Sequence, residues 1–344
     1  MVTTEETMRS LVVTGPGTVE VQNVPRPSVG DDDILVRIRA CGLCGSDGFY
    51  IARGGIPPRE GATPLGHEAA GEVVEVGTRV TGIAVGAHVV VNPMAAPSGI
   101  IGNGGATGAL SDYLLIEQAE LGVSVALVPE HVPFAVAALN EPMAVARHAV
   151  NRVDPRPGDR VVIFGAGPIG LGAAISFRLR GAESVVVVDL IPERLETALQ
   201  VGADAVIDSR TEDIVARLAE LHGNAARRPG EVRPGTDIYL DAAGAPVVIQ
   251  TILSAVKRGA KVGIVAVHKK PVEVDFGAIL NNEVSIITAS GYPTEIFEVT
   301  DDIAENWERY ALLVSDEIPF DEIDRAIELA TTPGAADKVV VTFD

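Results

Sequence analysis

Six residues in the middle of the chain constrain its fold more than any others. Gly165-Ala166-Gly167-Pro168-Ile169-Gly170 follow the β-branched run Arg160–Phe164 and lead into the helix-like stretch Pro168–Arg180, with Gly181 as its expected stop. Strand, glycine turn and helix in that order make a phosphate cradle. Gly165 permits the tight turn, Gly167 lets a pyrophosphate approach the backbone, and Gly170 lets the helix pack closely on the strand. Pro168 and Ile169 open the helix, whose free N–H groups and positive dipole end face the phosphates. The next strand, Ser184–Asp189, ends in a carboxylate. An acid at that place accepts hydrogen bonds from a ribose hydroxyl and repels a 2′-phosphate, which predicts NAD rather than NADP. Arg194, at the start of the following helix, completes the cofactor-binding candidates.

The alternation continues. Helices are expected over Glu193–Val201, Thr211–Leu221 and Pro246–Lys257, and strands over Ala205–Ile207, Asp237–Leu240 and Lys261–Val267. Strands alternating with helices predict a parallel sheet covered on both faces, the doubly wound Rossmann α/β class. Residues 223–236 carry three arginines and two prolines and read as an exposed connector. The first 130 residues differ. Short apolar runs (Leu11–Thr14, Ile34–Ala40, Ala70–Val76, His88–Asn92, Tyr113–Ile116) are punctuated by Gly, Pro and Asp, a β-rich pattern. Pro97–Gly108 has no periodicity and reads as a loop, and Phe134–Val150 has helical spacing. The alternation fades near Val284, and a helix over Asp321–Ala330 and a strand over Lys338–Phe343 look like a return to the first domain.

Charge narrows the partners. Across 344 residues the formal charge is −20, so phosphate backbones and anionic membranes are repelled and neither nucleic acid nor membrane is an expected partner. Two cysteines exclude a disulfide scaffold and fit a reducing compartment. Met1 to Thr7 carries Glu5 and Glu6 with no apolar core, and Val161 to Phe177 is broken by glycines and a proline. The expectation is a soluble, cytoplasmic protein.

Chemistry enters with Cys41-Gly42-Leu43-Cys44-Gly45-Ser46-Asp47. A CxxC alone admits a redox dithiol, a zinc knuckle or coincidence. Two cysteines cannot build a site needing three or four thiolates, and a redox dithiol would sit in a βαβ context that is missing here. Gly66-His67-Glu68 precedes the strand Ala70–Val76, and Glu141-Pro142 opens a helix. One thiolate, one imidazole and one carboxylate from separate segments suit a three-ligand zinc site with an open fourth position. Asp47 is placed to accept the spare N–H of His67. By spacing alone a His-Glu pair before a strand is more often structural. His88, His131, His148 and His222 read as satisfied or exposed histidines; His268 is less bland because the ends of parallel strands face ligands.

These segments resemble the zinc-dependent alcohol and polyol dehydrogenases of the medium-chain dehydrogenase/reductase family. The matching stretches are ACGLCGSD (40–47), PLGHEAAGEVVEVG (64–77), LNEPMAVARHAV (139–150), GAGPIGLGA (165–173), DAAG (241–244) and DKVVV (337–341). The resemblance is to the sorbitol, threonine and butanediol subgroup in particular. It implies zinc ligands Cys44 and His67, with Glu141 or Glu68 as the carboxylate, and Cys41 as a packing residue. It implies that Ser46 bonds the substrate oxygen and starts a proton relay. It implies a GroES-like β-rich catalytic domain at 1–152 and 289–344 around an NAD-binding domain at 153–288, and a homodimer or homotetramer, for which Val284–Ala289 offers an edge strand. The implied reaction is reversible oxidation of a secondary alcohol, diol or polyol with NAD. Alternatives are a zinc-free quinone or enoyl reductase and a non-enzymatic NAD-binding sensor. Two departures stand out. Pro93–Gly108 lacks the cysteines of the family's structural-zinc lobe, so one catalytic zinc is expected and no second. Phe49 stands where many relatives carry a histidine, which predicts a less polar pocket and another proton route.

Overall fold

The computed structural model describes residues 6–56, 61–226 and 231–344. Met1 to Glu5, on which the leader expectation rests, lie outside the described residues, as do Arg227, Arg228, Pro229 and Gly230 of the arginine-bearing connector. The chain forms two compact units. Met1–Glu141 joins Ile296–Asp344 in one, and Pro142–Glu295 forms the other. The expected domain limits at 152/153 and 288/289 therefore fall inside the second unit.

The first unit opens with strands β1 (Thr7–Gly15), β2 (Thr18–Pro25) and β3 (Ile34–Gly42). Helix α1 (Gly45–Arg53) follows, then β4 (Thr63–Pro64), β5 (Glu68–Val76), β6 (His88–Val91), β7 (Tyr113–Ile116) and β8 (Val125–Leu127). β2-β1-β4 make a small sheet. β3 pairs antiparallel with β5 and β7, and β5 with β6. The core is what the short apolar runs promised: Leu11, Val13, Ile34, Val36, Ile38, Leu65, Val73 and Leu114 are all buried. Each such side chain contributes about 1.5–3 kcal/mol of transfer free energy.

The stretch with helical spacing over Phe134–Val150 holds two helices, α2 (Phe134–Ala137) and α3 (Asn140–Arg152), the second opening at Glu141-Pro142 as expected. Pro142 supplies the reason. Inside a continuous helix it would lack the N–H owed to Ala138, whereas in the first turn of a new helix none is needed. Asn140 fixes the restart, donating to the Ile296 carbonyl at 2.6 Å and accepting from Thr300 Oγ1 at 2.7 Å.

The second unit is a six-stranded parallel sheet: β9 (Arg160–Phe164), β10 (Ser184–Asp189), β11 (Ala205–Asp208), β12 (Ile238–Asp241), β13 (Lys261–Ile264) and β14 (Ser285–Thr288). Their spatial order is β11-β10-β9-β12-β13-β14. The order reverses between β9 and β12, the switch point where open α/β sheets bind ligands. Helices α4 (Pro168–Leu179), α5 (Pro192–Gln200), α6 (Ile214–His222), α7 (Pro246–Ala255) and α8 (Phe276–Ile279) connect the strands. β9 reads Val-Val-Ile-Phe because both faces are covered, and all four residues are buried. α6 starts later than expected because Asp213 caps it, accepting from Ala216 N at 3.0 Å. β13 stops at Ile264, short of the expected Val267.

The chain then rejoins the first unit with α9 (Glu298–Glu305), α10 (Trp307–Ala311), β15 (Asp316–Pro319), α11 (Ile323–Thr331) and β16 (Val339–Thr342). β16 pairs antiparallel with β3, Val340 facing Gly42 and Val341 facing Cys41, so both ends of the chain share one sheet. Among the described residues no helix is long and apolar enough to cross a membrane.

Candidate active site

Three strands of the first unit converge on Gly42. In the β3–β5 register Gly42 faces Glu68, and in the β16–β3 register it faces Val340. A side chain at Gly42 would collide with the Glu68 carboxylate, its Cβ falling 1.9 Å from Oε2 and 3.0 Å from Lys338 Cε. The missing side chain makes room for a buried ion pair between Lys338 Nζ and Glu68 Oε2. Lys338 also donates to the Leu43 carbonyl at 2.9 Å. Lys338 is 4% exposed and Glu68 1% exposed, so neither charge is hydrated.

Beyond Gly42 the chain turns and α1 begins with Cys44 as its cap. Asp47, in the first turn, accepts from Cys44 N at 2.9 Å and pins that turn. The imidazole arrives from the other side. Gly66 adopts φ +90, where a Cβ would strike Leu110 N at 2.5 Å, and so delivers His67 to the same place. One ligand atom each from Cys44, His67 and Glu68 lie within 4.8 Å of one another. Glu141 is not in that trio. It sits in the first turn of α3, buried, and its charge is felt at both His67 and Lys338. Asp47 Oδ1 stands 3.8 Å from His67 Nδ1, beyond hydrogen-bond reach, and both atoms are buried without a hydrogen-bond partner.

The charges around the site are weighted toward acid. Burial opposes charge on His67, but Asp47, Cys44 and Glu141 together outweigh it and hold the imidazole well above its usual range. Burial likewise pushes the Asp47 carboxyl up. Asp47, Glu68, Glu141 and the Cys44 thiol crowd this site, and Lys338 answers one of them. A bound dication satisfies the rest, and sulfur, nitrogen and oxygen donors in one cluster suit zinc. Cys41 is buried and donates to the Gly42 carbonyl at 3.6 Å; burial pushes its thiol well up, as befits a packing residue.

The glycine-rich loop after β6 closes over this site. Gly102 lies so near that a Cβ would meet Gly66 O at 2.3 Å and His67 Cβ at 3.1 Å. Asn103 Oδ1 is 3.5 Å from Ser46 Oγ. Phe49 is exposed on α1. Sequence reasoning assigned no role to Lys338, Asn103 or Gly42. A clue to Lys338 was its place in DKVVV, but a lone lysine before a strand reads as surface.

The second unit carries the glycine turn. Gly165 takes φ +104, and a Cβ on Gly170 would fall 1.8 Å from Gly165 O. Those two glycines are required by the protein's own packing. Gly167 is not, because a Cβ there would meet nothing within 4 Å, so its bare backbone faces open space where a ligand could approach. Pro168 and Ile169 begin α4. Asp189, ending β10, accepts from Ala166 N at 2.6 Å, Leu190 N at 2.7 Å and Ile191 N at 2.9 Å. Arg194 is half-buried in the first turn of α5. At the ends of β12 and β13, His268 Nε2 meets the buried Asp241 Oδ2 at 2.7 Å, and Asp241 also holds Ala243 N and Gly244 N.

Comparison with known proteins agrees with this architecture. Residues 30–126 match the alcohol dehydrogenase GroES-like domain, and residues 168–305 match the zinc-binding dehydrogenase domain. Sorbitol dehydrogenase of Bacillus subtilis is 30% identical over 353 residues, covering 95% of each chain. L-threonine 3-dehydrogenase of Symbiobacterium thermophilum is 31% identical over 98% of this chain and 99% of its own. A zinc-binding dehydrogenase from Sinorhizobium meliloti, solved bound to NADP, superposes with a TM-score of 0.84 at 27% identity, covering 98% of this chain and 99% of that one. The chain belongs to the zinc-dependent medium-chain dehydrogenase family.

Proposed function

We propose that this protein oxidises a secondary alcohol, diol or polyol reversibly to the ketone, with NAD as the hydride acceptor and one catalytic zinc per chain. The observation that carries the reading is the cluster of half-buried Cys44 with buried His67 and Glu68, with more acids than cations around it. Cys44 and His67 would hold the zinc, with Glu68 or Glu141 as the carboxylate, and the metal supplies a Lewis acid that lowers the pKa of an alcohol. Asp47 lies 3.8 Å from His67 Nδ1 and favours positive charge at this site through its own charge rather than through a hydrogen bond. Ser46 Oγ takes the hydroxyl proton, and Asn103 beside it holds that hydroxyl in place. With Phe49 where relatives carry a histidine, no imidazole stands there to take the proton on, and Ser46 would pass it to water. Gly165, Gly167, Pro168, Ile169 and Gly170 would hold NAD, with Asp189 for its ribose and Arg194 in the first turn of α5; the cofactor would supply the hydride acceptor. Pro93–Gly108 carries no cysteine, which supports a single zinc. β14 is the outer strand of its sheet and would pair two copies into a homodimer, or a homotetramer, in the cytoplasm.

The test is NADH formation over a panel of secondary alcohols, diols, polyols and 3-hydroxy amino acids, with and without a zinc chelator, beside metal analysis of the wild type and Cys44→Ala. Chelator-sensitive turnover with bound zinc, both lost in Cys44→Ala, is expected. Turnover indifferent to the chelator would favour the zinc-free reductase reading.

A further inference from the structure

The face of α1 that leads away from the candidate metal site carries Ser46, Phe49, Tyr50 and Arg53, spaced i, i+3, i+4 and i+7 along one side of the helix. Phe49 is 54% exposed, an unusual place for a large aromatic ring. The Arg53 guanidinium lies over that ring, 5.7 Å from its centroid. Helical side chains lean toward the N-terminus, so the cation sits back at the level of Phe49, about one turn (roughly 5 Å of rise) from Ser46. Phe49, Tyr50, Arg53, Gly55 and Ile56 line a recess of about 260 Å³.

One observation joins this recess to the metal site: the glycine loop spans both. Gly102 packs on His67, Asn103 approaches Ser46, and Gly104 lies where a Cβ would meet Ile56 at 3.1 Å. Arg9, Arg26, Arg39, Arg79 and Arg325 of the same unit each hold a carboxylate, whereas Arg53 has none among the described residues. A net charge of −20 repels anions in general, so a guanidinium stacked on an aromatic ring, with no carboxylate among the described residues, gives an anionic group a favourable place to go. A planar guanidinium held by an aromatic face is pre-organised for a fork-like grip on an oxyanion.

We propose that Arg53, stacked on Phe49, is a specificity-determining residue that binds an anionic group of the substrate, so that the alcohol oxidised is one bearing a carboxylate or a phosphate a few bonds from its carbinol carbon. This rests on the dehydrogenase reading and narrows its substrate class. Ser46 and the metal site receive the hydroxyl, and the guanidinium receives the oxyanion. The apolar ring lies between them under the connecting carbons.

A matched set tests it: butane-1,3-diol, 3-hydroxybutanoate and 3-hydroxybutyl phosphate, assayed as NADH formation by the zinc-loaded wild type, Arg53→Gln and Arg53→Lys. In the wild type kcat/KM for one anionic alcohol should exceed that for the diol by about tenfold, as a charge-assisted contact provides. Which anion wins separates carboxylate from phosphate. Arg53→Gln should erase that ratio mainly through KM, Arg53→Lys should restore part of it, and added salt should shrink it. Thermal unfolding should be alike in all three, because Arg53 is exposed. A ratio unchanged by Arg53→Gln would overturn the proposal, as would a wild type that prefers the diol, and either leaves the dehydrogenase reading standing. A wild type inert toward these and every neutral alcohol would remove both readings.

Discussion

The two units build their candidate sites from opposite materials. In the second unit the dinucleotide cradle is backbone: glycines that permit close approach, helix N–H groups, and one carboxylate, Asp189, held by three main-chain donors. In the first unit the site is side chain and charge, gathered from β3's end, β5, α3 and the approach to β16. A backbone site is written in one stretch of sequence and needs no counter-ion. A charged site is scattered, and it survives burial only if each charge finds its opposite. The comparison predicts that the first unit is fragile toward loss of a charge and the second toward loss of geometry.

The largest effect should come from Lys338→Met. It leaves Glu68 buried without its partner, which costs about 3–5 kcal/mol when one member of a buried pair is removed. Zinc held at this cluster, as proposed, would supply positive charge beside Glu68, so the loss should be much smaller in the zinc-loaded protein than after chelation. Thermal unfolding of both forms checks this. An equal loss with and without metal would mean that Glu68 and the metal do not share a site.

Asp189→Ser probes the other side of the comparison. Serine cannot take over three backbone donors, nor repel a 2′-phosphate. NADH affinity should fall about tenfold and preference over NADPH should shrink, as loss of charge-assisted hydrogen bonds implies. Fluorescence titration with each reduced cofactor measures both. Unchanged NADH affinity would remove Asp189 from the ribose.

The same contrast explains what was legible in the sequence. The glycine turn, its strand and helix, and Asp189 were readable because they are local: each residue's role follows from its neighbours in the chain. Cys44, His67 and a carboxylate from Glu141 or Glu68 were suspected from ligand chemistry and resemblance, but only the β3–β5 register and the turn at Gly66 bring Glu68 beside the other two. Lys338 was illegible, because nothing near it in sequence says that β16 will lie beside β3 and carry it under Glu68. Gly42 looked like part of a CxxC turn. Its role is the space its absent side chain leaves for an ion pair assembled from both ends of the chain. The restart at Glu141-Pro142 was readable because proline fits a helix's first turn, but the sequence did not show that the preceding α2 would be only one turn long.

The smallest expected effect compares two buried histidines. Among acids, His67 is held well above its usual range. His222, at the end of α6, meets Thr236 Oγ1 through Nδ1 at 2.7 Å and Ser184 Oγ through Nε2 at 3.2 Å. Burial, with Arg160 adding repulsion, lowers it to about 4. As pH falls below the ordinary histidine range near 6.5, the unfolded chain takes up a proton that the folded unit refuses. The stability contributed by neutral His222 is therefore present above roughly pH 6.5 and is lost as pH drops toward about 4. His222→Gln retains an amide for Thr236 and cannot titrate. It should cost little at neutral pH and flatten the decline in melting temperature on the acid side by a few degrees. Parallel acid slopes for wild type and variant would mean that His222 is already protonated in the fold. The contrast with His67 would then vanish, because both buried imidazoles would carry charge in the fold.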